Sequence, residues 1–105
     1  MSGYCLIYIT TKDRVEARSI GMALLQDKLV ACVNVFGNMN SLYWWEGAIA
    51  DETESLLIAK SRQELVPKII EKTKALSSYE VPCVVALPIV EGNPDYLKWL
   101  GAETP

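Results

Sequence analysis

The segment Ala31–Gly47 constrains this chain more than any other, because it joins a strand-like run, an asparagine-rich loop and an aromatic cluster within seventeen residues. It reads Ala-Cys-Val-Asn-Val-Phe, then Gly-Asn-Met-Asn, then Ser-Leu-Tyr-Trp-Trp-Glu-Gly. Trp44 and Trp45 are adjacent, and neighbours on a strand point to opposite faces of its sheet. A core built by 105 residues cannot bury both rings. One of them must pack against something outside that core.

If Val30–Glu46 is nearly continuous, it spans roughly 50 Å at about 3.3 Å per residue, against a radius of gyration of about 13 Å for a domain of about 100 residues. Such a hairpin overhangs its own domain and pairs with a neighbour. The alternative is that Gly37–Asn40 forms a tight turn and splits the segment into two short strands.

Composition points the same way. Half of the residues are apolar and 22% are charged, an apolar share that fits a subunit with a buried interface. The net charge is −3 and no basic run occurs, so the electrostatic footprint of a nucleic-acid binder is missing. Met1-Ser2-Gly3-Tyr4 carries no cationic leader, and the longest apolar run, Val81–Val90, contains two prolines and is too short to cross a bilayer. The expected location is the cytoplasm, with no membrane partner. Cys5, Cys32 and Cys83 are widely spaced and odd in number, which argues against a disulfide framework and favours buried free thiols. The chain contains no histidine, so the usual general base and the commonest metal ligand are both absent.

Tyr4–Thr10 reads as a first strand. Asp13, with Glu16 three residues on, opens a helix whose stripe is Ala17, Ile20, Leu24 and Lys28. Leu29–Phe36 starts a second strand, which resumes over Ser41–Glu46, and Gly47 with Ala50–Thr53 marks a turn. Glu54–Lys60 is a third strand. Ser61 and Glu64 repeat the capping pattern before a helix carrying Leu65, Ile69, Thr73 and Leu76, with Pro67 disturbing its first turn. A loop at Ser77–Glu80 leads to a fourth strand, Val81–Val90, and Asn93-Pro94 caps a short last helix.

The resulting order, β-α-β-β-α-β plus a terminal helix, is the ferredoxin-like plan: an α+β fold with an antiparallel sheet and helices on one face. Residues 1–105 form a single domain of this kind. The other sheet face carries either Tyr4, Leu6 and Tyr8 or Cys5, Ile7 and Ile9. Both sets are apolar, so that face calls for cover from other subunits.

Several stretches, in one order and at matching spacing, closely resemble the CutA divalent-cation tolerance proteins: Ala-Cys-Val-Asn at 31–34, Ser-Leu-Tyr-Trp-Trp-Glu-Gly at 41–47, Tyr-Glu-Val-Pro at 79–82, Ala-Leu-Pro-Ile-Val at 86–90 and Gly-Asn-Pro-Asp-Tyr-Leu-Lys-Trp-Leu at 92–100. The resemblance covers nearly the whole chain. It implies a non-enzymatic homotrimer whose long hairpins pair across subunit boundaries, linked to tolerance of copper and other divalent cations. It places the functional surface at clefts between subunits. The residues it carries to such a cleft are Asn34, Ser41, Tyr43, Trp45, Lys60, Tyr79 and Glu80, together with Cys32.

The chain also departs from that family. Where members read His-Pro-Tyr-Glu-x-Pro-Glu, this chain reads Ser77-Ser78-Tyr79-Glu80-Val81-Pro82-Cys83, so a histidine proposed as a metal ligand is Ser77.

For a metal, Cys32 and Cys83 offer soft thiolates suited to Cu(I), and Glu80, Glu46 and Asp51 offer oxygens, but no spacing among them dictates a site. The cofactor implied, if any, is copper or another divalent cation. Trp44 and Trp45 read first as packing on the core and across a subunit interface. An aromatic wall for a small ligand is the second reading, with Lys60, Glu80 and Tyr79 as its polar side. Lys60 is expected at a strand end, near the start of the second helix. Thr10–Arg14 is too weak a phosphate cradle for acylphosphatase-type chemistry. Two alternative functions remain: a signalling trimer comparable to PII proteins that binds a nucleotide or anion, and a purely structural interaction platform.

Overall fold

The computed structural model describes residues Ser2–Pro105; Met1, the first residue of the segment in which a cationic leader was looked for above, lies outside them. The elements are β1 (Tyr4–Thr11), α1 (Arg14–Gln26), β2 (Cys32–Trp45), β3 (Ala48–Arg62), α2 (Val66–Leu76), β4 (Val84–Pro88) and α3 (Pro94–Glu103). The four strands form one antiparallel sheet in the order β2-β3-β1-β4. This is the ferredoxin-like arrangement that the element order implies.

Alternation decides which face of the sheet meets α1 and α2. Cys5, Ile7 and Ile9 of β1 and Leu57 and Ala59 of β3 are buried against Ala17, Ile20 and Leu24 of α1 and Ile69 of α2. Burying each such aliphatic side chain stabilises the fold by about 1.5–3 kcal/mol. The other face carries Tyr4, Leu6, Tyr8 and Thr10 of β1 and Leu56, Ile58, Lys60 and Arg62 of β3, none of them fully buried. The terminal helix α3 lies on this second face, at one end. Arg62 donates to the carbonyls of Gly101 (2.8 Å) and Thr104 (2.6 Å), which fixes it there.

The capping expectation holds at α1, where the Glu16 amide donates to Asp13 Oδ1 at 2.9 Å. The helix closes through a double turn in which Leu29 N–H reaches Leu24 O and Lys28 N–H reaches Leu25 O, with Lys28 in the left-handed region at φ 58°. Asn93 caps α3 as expected, accepting from the Asp95 amide at 3.0 Å.

Ser61 does not cap the second helix. It lies inside β3 and donates its hydroxyl to Leu29 O at 2.5 Å, while a 3-10 turn at Gln63–Leu65 bridges to α2 ahead of Pro67. The fourth strand is shorter than expected, Val84–Pro88, although bonds from Thr10 N–H to Cys83 O and from Ile89 N–H to Tyr4 O continue its contact with β1 by one residue at each end. The second strand begins at Cys32 rather than Leu29, since Leu29 completes the close of α1.

The larger difference concerns the hairpin. Ala50–Thr53 is not a turn. β3 begins at Ala48, and the reversal is confined to Glu46 and Gly47, at φ 50° and 81°. Two successive positive φ values make the type I′ turn whose twist matches a hairpin, so polar residues can continue the ladder on both sides. Pairing runs from Cys32↔Lys60 to Trp45↔Ala48, with one irregularity between Phe36 and Met39, where Asn38 takes φ 57°. The near-continuous reading of the segment is therefore correct, and the break at Gly37–Asn40 is a bulge.

β1 ends opposite Ser55, so the six pairs from Asn40↔Thr53 outward stand free of the rest of the sheet. They project roughly 20 Å and help give the molecule a long axis of 44 Å against 26 and 23 Å. The tip is apolar, and Trp44 is 72% exposed.

Candidate functional site

The loop that follows α2 runs past the C-terminal end of β1 and meets the base of the projecting hairpin. Two contacts hold it. Glu16, at the start of α1, accepts from the Ser78 amide at 2.9 Å, and Ser77 Oγ accepts from the Tyr79 amide at 3.1 Å. Tyr79 then points its hydroxyl at Glu54 and donates to Oε2 at 2.5 Å.

Between loop and hairpin lies a cleft of 690 Å³. Strand alternation aims Ser41, Tyr43 and Trp45 into it, and Trp44 to the opposite side, which resolves the problem of the adjacent rings. Tyr79, Glu80 and Cys83 line the loop side, Thr10 the floor, and Glu54 the hairpin base.

Burial raises the Tyr79 phenol well above its ordinary range, and the bond to Glu54 and that carboxylate's charge add to the effect. Tyr43 is shifted upward as well, by burial first and then by Glu54 and Glu52. Both phenols therefore stay protonated at neutral pH, in a cleft whose charge is negative.

Six of the residues marked from the sequence thus meet in one place: Ser41, Tyr43, Trp45, Tyr79, Glu80 and Cys83. The other three do not. Cys32, Asn34 and Lys60 form a separate cluster on the same sheet face, beneath α3. Lys60 Nζ donates to Asn34 Oδ1 at 3.5 Å and sits 5.6 Å from the centre of the Tyr96 ring, and Cys32 Sγ is 3.5 Å from Tyr96 Oη. Burial pulls the Lys60 ammonium down, but Cys32 and Tyr96 outweigh it and the net shift is upward. The bond to Cys32, then burial, raises Tyr96.

Lys60 is not a strand end beside the second helix, as expected; it is an interior residue of β3, paired with Leu6 and Cys32. It lies six positions along β3 from Glu54, roughly 20 Å.

The same ladder separates the two thiols. Cys32 lies opposite Lys60, whereas Cys83 lies beyond β1, where Thr10 N–H reaches its carbonyl at 3.3 Å. Strand spacing and rise put them on the order of 20 Å apart. Among the described residues, no group of three His, Cys, Asp or Glu side chains could hold a metal ion. The residues of one chain therefore do not fit a resident transition metal. Of the three thiols only Cys5 is the buried one expected; Cys32 is half-buried and Cys83 exposed.

Two residues escaped the sequence reading. Glu54 is only 6% exposed, and a signal for it existed: by period two it falls on the face of Leu56 and Ile58, a carboxylate on an otherwise apolar stripe. Tyr96 had no such signal, because its role depends on α3 folding back over the sheet.

The comparisons agree with this geometry. The family model described as CutA1 divalent ion tolerance protein matches residues 5–103. A divalent-cation tolerance protein CutA of Thermus thermophilus is 42% identical over 94% of this chain and 96% of its own length. Its solved structure superposes with a TM-score of 0.94, covering 97% of this chain and 99% of that one. A chloroplastic CutA 1 of Oryza sativa is 39% identical over 94% of this chain, which spans 56% of it. The periplasmic CutA structure from Archaeoglobus fulgidus has a TM-score of 0.94 at 39% identity and covers 97% of this chain and 99% of its own. The chain belongs to the CutA1 family of divalent ion tolerance proteins.

Proposed function

We propose that this protein serves divalent-cation tolerance as a non-catalytic homotrimer that binds a small cationic ligand in the cleft between Tyr79 and the hairpin base. The observation that carries the reading is the convergence of Glu54, Tyr79, Tyr43, Trp45 and Glu80 on one 690 Å³ space, a size suited to a small ligand. Its relatives are named as tolerance proteins rather than enzymes.

Two features support assembly. The projecting hairpin exposes Leu42, Trp44 and Ile49, and the second sheet face leaves Leu87 and Val85 half in solvent. Both β2 and β4 are sheet edges, each with a row of unpaired backbone groups. A second chain satisfies rings and edges together. A copper or other divalent-cation site using Cys32 or Cys83 needs donors from such a neighbour, since one chain brings no third ligand to either thiol. A cytoplasmic location is supported by three free cysteines.

The competing reading, a nucleotide- or anion-binding trimer, is disfavoured because no Lys or Arg lines the cleft among the described residues. The test is sedimentation of the purified protein, followed by titration with Cu(I), Cu(II), Zn(II) and a nucleotide panel. A particle of about three times the 11.7 kDa chain mass that binds cations supports the reading. A monomer, or a trimer that binds nucleotide and no cation, overturns it. A trimer that binds nothing indicates a structural platform instead.

A further inference from the structure

We propose that the ligand of this cleft is a small organic ammonium ion, held by the Glu54 carboxylate against the rings of Tyr43 and Trp45. The inference rests on the reading of the cleft as the ligand site and goes on to name the ligand's chemistry.

Glu54 is more than nine-tenths buried, and its two oxygens are treated unequally. Oε2 accepts the Tyr79 hydroxyl hydrogen bond, whereas Oε1 has no hydrogen-bond partner among the described residues. Oε1 is also not sealed off: the buried side-chain atom left without a partner is Thr73 Oγ1, on the other side of the sheet. The free oxygen therefore opens into the cleft. A desolvated carboxylate with an unused oxygen is costly, and a cation beside it offsets that cost.

The walls select among cations. Trp45 and Tyr43 line the cleft with aromatic rings, and ammonium groups bind over the faces of such rings, most strongly over Trp. Thr10 and Ser41 offer hydroxyl oxygens to N–H donors, and Glu80 adds a second carboxylate at the loop side. No lining residue is basic, so nothing repels a cation and nothing retains a phosphate. A bare divalent ion fits less well. It needs about six oxygens at close range, while the space is 690 Å³ and walled in part by Val81 and two aromatic rings.

The test is calorimetric titration of the wild-type protein with putrescine and with tetramethylammonium, using zinc chloride and ATP as comparators, with the assembly state measured on the same samples. Saturable binding of one amine per chain is expected, weakened about tenfold or more by Glu54→Gln, a change of 1.4 kcal/mol per decade. Glu80→Gln, on an exposed loop, is expected to weaken it severalfold and covers the case in which Glu54→Gln fails to fold. Lys74→Ala, on the opposite sheet face, binds as the parent does. An intact trimer with no amine binding overturns the proposal, as does amine binding unchanged by both carboxylate variants, or zinc binding alone. Dissociation of the assembly by Glu54→Gln, with no amine binding by the parent, also overturns it, because a basic group of a partner subunit would then be the cation. A monomeric protein that still binds putrescine would sink the trimer reading while leaving the ligand class intact.

Discussion

Tyr79 and Glu54 are twenty-five residues apart in sequence and share one hydrogen bond, through which the loop after α2 is fastened to the foot of the projecting hairpin. Removing the hydroxyl by Tyr79→Phe leaves the carboxylate buried with neither oxygen satisfied. The expected loss is about 1–3 kcal/mol of stability, read from the urea midpoint at neutral pH. An unchanged midpoint would mean that water replaces the bond without cost.

The same pair sets an alkaline limit. Burial, then Glu54, holds the Tyr79 phenol above its ordinary value, so the folded state keeps this proton more tightly than the unfolded chain. Stability from it is complete below the unfolded value of about 10 and is lost as pH rises from there toward the higher folded value. Urea midpoints measured between about pH 9 and about pH 11 should fall more steeply for the parent than for Tyr79→Phe. Equal slopes would exclude Tyr79 as the titrating group.

Trp44, on the face of the hairpin turned away from the cleft, is 72% exposed. Replacing it by Ser should weaken assembly while leaving the fold of the single chain intact. The expected result is sedimentation toward the 11.7 kDa chain mass with unaltered far-ultraviolet circular dichroism. Unchanged assembly would place the contact elsewhere, on the uncovered sheet face.

Lys28 and Glu46 both hold left-handed backbone, at φ 58° and 50°, where residues with a β-carbon are disfavoured. Lys28→Gly at the close of α1 and Glu46→Asn in the hairpin turn should each stabilise by about 0.5–1 kcal/mol. The 3.9 Å ion pair of Lys28 with Glu103 is solvent-exposed on both sides and should offset little of the first gain. The two sites share no partner, so thermal midpoints of the double variant should be additive.

Gly101 is where α3 touches the sheet most closely. A β-carbon there would collide with Tyr4 Oη and lie 3.2 Å from an Arg62 guanidinium nitrogen. Gly101→Ala should destabilise by about 1–3 kcal/mol despite the better helix propensity of alanine. Tyr4→Phe in the same chain should restore part of the loss. No restoration would trace the cost to Arg62 instead.

Much of this fold is legible in the residues because local and global signals coincide. Period two separates Cys5, Ile7 and Ile9 from Tyr4, Leu6 and Tyr8, and Asp13 and Asn93 announce their helices through short-range capping bonds. The hairpin was harder. Ala50–Thr53 carries turn-like polar residues, yet it is strand, because in a projecting ribbon both faces can be wet and pairing alone sustains it. Ser61 mimics a cap, but its hydroxyl was drawn to Leu29 O, a partner that only tertiary packing supplies.

The candidate site was legible in its loop and hairpin parts and not in its division. Nothing in the spacing of Asn34 and Lys60 shows that six residues of β3 carry them away from Tyr79, nor that α3 returns to lay Tyr96 over them. Glu54 was visible only as an acid on an apolar stripe. Its meaning depends on where β1 stops.

Ligand is proposed to bind in the cleft beside Glu54 rather than at the Cys32–Lys60–Tyr96 cluster. Backbone amide NMR of the isotopically labelled wild-type protein, titrated with putrescine, tests this directly. The predicted result is saturable shifts at Thr10, Ser41, Tyr43, Glu54, Tyr79 and Cys83 with Cys32, Asn34, Lys60 and Tyr96 unmoved. Shifts confined to the second group, or none at all, would contradict it.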